Sequence, residues 1–101
     1  MAEQNLLGAM MLSKDAISAT STMLRPEDFY KPAHAHIFDA ILSLDSAGEP
    51  ADPVTVADEL ARAGVLEAIG GRSLLAEIVS TAPAVSNAAR YARIISDHAV
   101  L

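Results

Sequence analysis

Apolar residues recur along this chain at the three- and four-residue spacing of amphipathic helices. Alanine dominates the composition, and runs of β-branched residues are short. The sequence pattern has no long segments in which apolar and polar residues alternate, as they would in strands. The pattern predicts an all-α fold with six or seven helices and no sheet.

The individual helices are predicted from stretches in which apolar positions line one face between polar breaks. The first runs over 2–12, and the second from a break at 13–15 to about 24. The third runs from 32 to a stop at 48, and the fourth from 55 to a stop at 64. One or two helical turns at most are predicted within 65–69, followed by helices over 72–81 and from 86 through 99. The last of them carries no stop signal. We therefore expect the polypeptide to be a piece of something longer.

Several helix ends carry recognisable signals. Pro32 occupies the favoured first position of a helix, and Gly48 is a typical residue just beyond a helix end. The segment 49–53 contains two prolines and is predicted as a loop. The run 55–58, Thr-Val-Ala-Asp, resembles a capping box in which the Thr hydroxyl caps the helix and the acid follows three residues later. Gly70-Gly71 predicts a sharp turn of the backbone.

The run Arg25-Pro26-Glu27-Asp28-Phe29-Tyr30 holds half of the aromatic residues, since the chain has two Phe, two Tyr and no Trp. A domain with so few rings is expected to place them where a loop must be pinned to the core. We predict that Phe29 anchors this loop ahead of the third long helix.

Length and composition indicate one ordinary globular domain of 101 residues, of which 51% are apolar and 20% charged. The chain has no Cys, which excludes disulfides and thiolate metal sites. Its start lacks the basic segment and apolar run of a secretory signal, and no stretch approaches the roughly 18 apolar residues of a membrane span. These features lead us to expect a cytoplasmic protein.

The charge balance weighs against nucleic acid as a partner of this domain alone. The net charge is −6, and seven basic residues are scattered among thirteen acidic ones. Nucleic-acid binders usually present a basic face, because contacts to phosphate supply most of their affinity. We therefore expect no strong DNA binding.

Two short motifs suggest ligand chemistry but fit structural roles better. The run 70–73, Gly-Gly-Arg-Ser, lacks the Lys, the glycine spacing and the preceding strand of a phosphate-binding loop, so a plain turn is favoured. His34 and His36 point to different sides of a helix, and no further ligand completes a metal set. We expect one of these histidines to be packed and the other solvated.

Catalytic groups are not indicated either. The acid pairs 27–28 and 58–59 are predicted at helix starts, where carboxylates interact favourably with free N–H groups. No Ser or Thr has a His and an acid at a recognisable spacing. Met10, Met11 and Met23 belong either to the core, which is favoured, or to an adaptable partner surface. The sequence thus predicts no catalytic, cofactor or metal residues.

A series of short motifs along nearly the whole chain resembles one family. They begin with Glu3-Gln4, Leu7-Gly8 and 13–17 and continue with Asp28, Phe29, Tyr30, His34, Ile37, Ile41, Thr55, Leu60, Gly70, Gly71, Tyr91 and Ile95. Their order and spacing resemble the N-terminal domain of the hexameric replicative DNA helicase of bacteria, the DnaB type. Leu74 departs from the pattern, because the family often has an aromatic residue after the paired glycines.

The resemblance implies a compact orthogonal bundle of about six helices, with the named motif residues in structural roles. Residues 1–101 would form the globular head, as a fragment without the helical hairpin that pairs two subunits and without the C-terminal motor domain. In this family the head belongs to a collar, a trimer of dimers, which supports the hexamer and docks DNA primase. The partners implied are other copies of the chain and primase, with no membrane.

The same resemblance implies that the fragment itself is not an enzyme. ATP and magnesium would bind only the motor domain of the parent protein, which would be an ATP-dependent 5′–3′ DNA helicase. Two alternatives stay open at this point. One is the helicase-binding domain of a bacterial primase, which is similar in fold, and the other is a small helical enzyme. The residues of any partner interface are not predicted.

Overall fold

The structure, a computed structural model of the chain, describes residues 2–80, 94 and 95. Six α-helices are described, joined by turns and by one 3₁₀ turn at Pro26–Asp28. They are α1 (Ala2–Leu12), α2 (Lys14–Ser21), α3 (Pro32–Ser46), α4 (Pro53–Arg62), α5 (Leu66–Ile69) and α6 (Gly71–Ser80). No strand occurs in this part of the chain, and the all-α prediction is confirmed.

Helix α1 lies at the centre of the bundle and is apolar on nearly all sides. It packs against α2, α3 and α6, and Leu6, Leu7 and Met10 are each at most 1% exposed. A helix that is apolar all round fits where neighbours surround it. The buried Thr20 of α2 is tolerated in this interior because its hydroxyl donates to the Ala16 carbonyl oxygen at 2.9 Å.

Helix α3 supplies the other half of the core. It begins at Pro32 as predicted, and it packs against α1, α4 and the 3₁₀ turn. Ile37, Phe38 and Ile41 are completely buried on the face that meets these neighbours. The core is completed by buried side chains from α4, α6 and the helical position 95, namely Val56, Leu60, Leu75, Ile78 and Ile95.

The start of α4 corrects the predicted capping box. The helix begins at Pro53, so Asp52 is the capping residue and Thr55 takes the third helical position. The Asp52 Oδ1 accepts from the Thr55 N–H at 2.8 Å, and the Thr55 hydroxyl oxygen accepts from the Asp52 N–H at 2.9 Å. Proline suits the first helical position because its missing N–H would be unpaired there. The sequence interpretation took Pro53 only as a helix breaker.

The end of α2 also differs from the prediction, since the helix stops at Ser21 rather than near 24. Arg25 precedes a proline, which disfavours helical backbone, and it adopts φ −121° and ψ 159°. The chain therefore leaves the helix early, although Leu24 is still buried in the core. The predicted last helix, from 86 through 99, lies outside the described residues except at 94 and 95.

The paired glycines make the predicted turn between α5 and α6. Gly70 has φ +121° and Gly71 has φ +72°, values that side chains other than glycine rarely adopt. Helix α6 begins at Gly71, one residue before the predicted start. The turn directs α6 back against α1 and α4.

Candidate functional site

The loop before α3 presents two neighbouring aromatic side chains to opposite environments. Phe29 is 6% exposed, and its ring centroid lies 4.8 Å from that of Phe38 at an interplanar angle of 38°. Tyr30 is 91% exposed. Phe29 has extended backbone, in which successive side chains alternate sides. The core anchor at Phe29 is confirmed, whereas the expectation that both rings pin the loop is wrong for Tyr30.

A partly buried polar network links this loop to α1 and α3. The Glu3 Oε2 accepts from the Tyr30 backbone N–H at 2.6 Å, and Glu3 Oε1 lies 2.7 Å from His34 Nδ1. A carboxylate only accepts, so Nδ1 carries the hydrogen and donates. His34 is 2% exposed and has its polar contact satisfied here. One carboxylate thus joins the start of α1 to the loop and to the first turn of α3.

The two histidines behave as predicted, because His34 is packed and His36 is exposed. Among the residues that the structure describes, no three His, Cys, Asp or Glu side chains group as a metal site would require. The Glu3–His34 pair is therefore a structural link in the described part of the chain. Sequence reasoning missed it because the two residues are 31 positions apart and no local pattern joins them.

The predicted acid pairs divide between two roles. Asp28 acts as expected, since its Oδ2 accepts from the Arg25 N–H at 3.0 Å at the start of the 3₁₀ turn. Asp58 does not lie at a helix start, because α4 begins five residues earlier. Its carboxylate instead accepts from Arg62 at 2.8 Å, and this hydrogen bond and the nearby charge raise the pKa of Arg62. Both partners are well exposed.

A shallow groove runs along α4 between the end of α3 and the start of α6. Its volume is about 220 Å³, and it is lined by Leu44, Glu49, Val54, Thr55, Asp58, Arg62 and Arg72. Pockets for small-molecule ligands usually measure about 300–1,000 Å³ and are mainly apolar. The Thr55 hydroxyl in this groove is engaged in the α4 cap, and the Asp58 carboxylate is engaged in the surface ion pair with Arg62. The groove is therefore a surface depression between helices.

The remaining motif residues have structural tasks where they are described. Ile37, Ile41, Leu60 and Ile95 are buried in the core, and Gly70 and Gly71 form the turn before α6. Tyr91 lies outside the described residues. Of the three methionines singled out in the sequence, Met10 and Met11 are in the core, and Met23 is at the surface. Apart from the exposed Tyr30, the motif residues that the structure describes contribute to the fold.

Comparison with known proteins identifies the family to which this architecture belongs. Residues 1–97 match the family described as "DnaB-like helicase N terminal domain". The chain belongs to this family. The resemblance seen in the motifs is therefore confirmed, and the helicase is favoured over the helicase-binding domain of a primase.

Individual relatives of this DnaB-like N-terminal domain support the assignment. The chain is 53% identical over 100 residues to "Replicative DNA helicase DnaB" of Mycobacterium leprae and 42% identical over 100 residues to "Replicative DNA helicase DnaC" of Bacillus subtilis. Each match covers 99% of this chain. The chain spans only 17% and 22% of those relatives' lengths.

The fold of this DnaB-like domain is also found in a solved structure. The N-terminal domain of DnaB helicase from Mycobacterium tuberculosis superposes with a TM-score of 0.96 and 54% sequence identity. The match covers 98% of this chain and 72% of that one. In the part of the chain described here, no helix is long and apolar enough to cross a membrane.

Proposed function

We propose that this chain is a non-catalytic collar domain of a replicative DNA helicase, which supports assembly of the hexamer and offers a docking surface to DNA primase. The observation that carries the proposal is the match to the DnaB N-terminal domain along 97 residues and with a TM-score of 0.96. A domain in this position acts by presenting surfaces to other chains.

The roles of the titratable side chains support a domain that does no chemistry itself. Glu3 and His34 satisfy each other inside the bundle, Asp52 caps α4, and Asp58 pairs with Arg62 at the surface. Catalytic acids and bases need a substrate within hydrogen-bonding reach. These groups are instead committed to partners within the fold. ATP and magnesium would act in the parent's motor domain.

The charge of the chain supports protein partners over nucleic acid. Its net charge of −6 opposes the approach of phosphate backbones. A collar of such domains would hold the ring together while other parts of the parent grip the DNA. Strong DNA binding is therefore not a task that we assign to this domain.

The test is a calorimetric titration with the C-terminal domain of the cognate primase. It is titrated into this 101-residue chain and into a version extended through the helical hairpin that follows in the family. We expect weak or undetectable binding to the short chain, because the contact spans two neighbouring heads. The extended version should bind more tightly, since pairing presents several sites at once. The proposal fails if neither version binds while the full-length helicase binds primase through its motor domain.

A further inference from the structure

The groove along α4 has the form of a surface that receives a segment of another protein. Its volume of about 220 Å³ is below that of most small-molecule pockets, and it is open to solvent along one face of the helix. Val54, Asp58 and Arg62 follow one another at intervals of four residues, so they share the face of α4 opposite its buried side chains. All three are exposed, and Val54 is 72% exposed. This face of α4 is therefore accessible to a partner.

The loop between α3 and α4, which brings Glu49 to the groove, is held by hydrogen bonds on both sides. The Glu49 N–H donates to the Leu44 carbonyl oxygen at 2.9 Å. The Thr55 hydroxyl donates to the Pro50 carbonyl oxygen at 2.7 Å, which ties the loop to the first turn of α4. Because this backbone is already ordered, a partner that binds here does not have to order it.

The negative charge of the chain is concentrated in the segment that forms this groove. Residues 45–61 contain five of the thirteen acidic residues and no Lys or Arg. Glu49 is exposed and has no hydrogen bond or ion pair with the described residues. The pKa of Arg62 is raised by Asp58, through a hydrogen bond and its charge, and further by the charge of Glu59. A field of this sign attracts a basic protein segment and repels nucleic acid or the same face of a second copy.

The two arginines in the groove restrict which basic segments fit. Arg62 is paired with Asp58 at 2.8 Å, whereas Arg72 has no ion pair with the described residues. A partner with basic residues along its whole length would bring some of them close to Arg72. A partner whose basic residues lie on only one side of its apolar residue avoids that repulsion.

We infer that the groove along α4 docks a basic segment of another protein. In this contact an apolar side chain packs against Val54, and Lys or Arg side chains on one side of it face Glu49 and Asp58. The inference rests on the proposed role of the chain in presenting surfaces to other proteins, and it adds a site and the chemistry of its partner. Exposed ion pairs are individually weak and are screened by salt. The contact therefore gains strength where several copies of the domain present it together.

An NMR titration of the isotope-labelled 101-residue chain tests the contact. The probe is a capped peptide with Lys residues on one side of a central Leu and Ala residues on the other. We expect binding with a dissociation constant on the order of 1 mM at low ionic strength, weakening as salt is added. The amide signals that shift should be those around Glu49, Val54 and Asp58. The control peptide, in which every Lys is replaced by Glu, should cause no such shifts.

Paired substitutions separate a specific contact from general attraction to an acidic chain. Glu49→Lys should raise the dissociation constant of the Lys peptide about fivefold, because an attraction becomes a repulsion. Glu77→Lys is the matched control, since it changes the net charge equally at an exposed position outside the groove. Val54→Ala should also raise the dissociation constant about fivefold through lost apolar contact. Leu12→Ala, at a side chain 53% exposed elsewhere on the surface, should leave it unchanged.

The inference is overturned if millimolar Lys peptide shifts no signals, if the shifts lie mainly outside the groove, or if Glu49→Lys and Glu77→Lys weaken binding equally. Circular dichroism of each variant checks that a loss of binding is not a loss of fold. If the peptide does not bind while the hairpin-extended chain still binds primase, the inference falls and the proposed function stands. If neither chain binds primase while the full-length helicase binds it through its motor domain, the proposed function falls whether or not the peptide binds.

Discussion

Truncation of Phe29 to alanine probes how the loop before α3 is held to the core. The ring is 6% exposed and its centroid lies 4.8 Å from that of Phe38, so the substitution removes a ring that is almost completely packed in the core. Removing a buried aromatic side chain costs about 3–5 kcal/mol, including the cavity that it leaves. Domains have a total stability of about 5–15 kcal/mol. The variant should therefore be close to unfolding.

Urea denaturation, monitored by circular dichroism, measures this loss of stability directly. With a urea dependence of about 1–1.5 kcal/mol per molar, the midpoint should fall by about 2–5 M without a change of slope. Tyr30→Ala is the matched control, because the adjacent ring is 91% exposed and its loss should change stability by no more than about 0.5 kcal/mol. Equal and small effects of the two substitutions would refute the assignment of Phe29 to the core.

Four other predictions follow from the described contacts. Glu3→Ala leaves the buried His34 Nδ1–H without its acceptor and should cost about 1–3 kcal/mol in urea melts. Unchanged stability would mean that the Glu3 network contributes nothing. Thr55→Ala removes half of the reciprocal α4 cap and should cost about 1 kcal/mol, whereas a loss as large as that of a core residue would contradict a capping role. Gly70→Ala places a side chain on backbone with φ +121° and should lower stability by about 2–3 kcal/mol. This loss should exceed that of Gly48→Ala, whose added Cβ meets open space, and the reverse order would refute this account of the turn. The isolated chain should neither hydrolyse ATP above blank nor bind single-stranded DNA with submicromolar affinity at physiological salt, as a coupled turnover assay and fluorescence anisotropy would reveal.

Local sequence patterns were sufficient to predict most of the helices and the side chains that they bury. The three- and four-residue spacing of apolar positions correctly predicted α3 and α6, whose apolar faces, including Ile37, Ile41 and Leu75, lie in the interior. Gly70 and Gly71 marked the turn because few other residues adopt positive φ. These features depend on residues close in sequence, so local patterns are enough to predict them.

Features that depend on geometry between segments were predicted less well. The sequence could not separate the buried Phe29 from the exposed Tyr30, because which side of an extended loop meets the core is decided by packing. The role of Glu3 required knowledge that α1 and α3 approach each other at their first turns. The start of α4 was missed for a local reason. Asp52 followed by Pro53 is itself a strong starting signal, but the loop interpretation of the prolines outweighed it.

The most direct test of the central claim compares the full-length product of the gene with a version that lacks residues 1–101. Light scattering is measured for both proteins, alone and with the C-terminal domain of the cognate primase. If the chain is a collar domain, the full-length protein forms a hexamer that gains the mass of bound primase domains, and the shortened protein loses stable hexamers and primase binding together. A shortened protein that remains a stable hexamer and still binds primase would contradict the account.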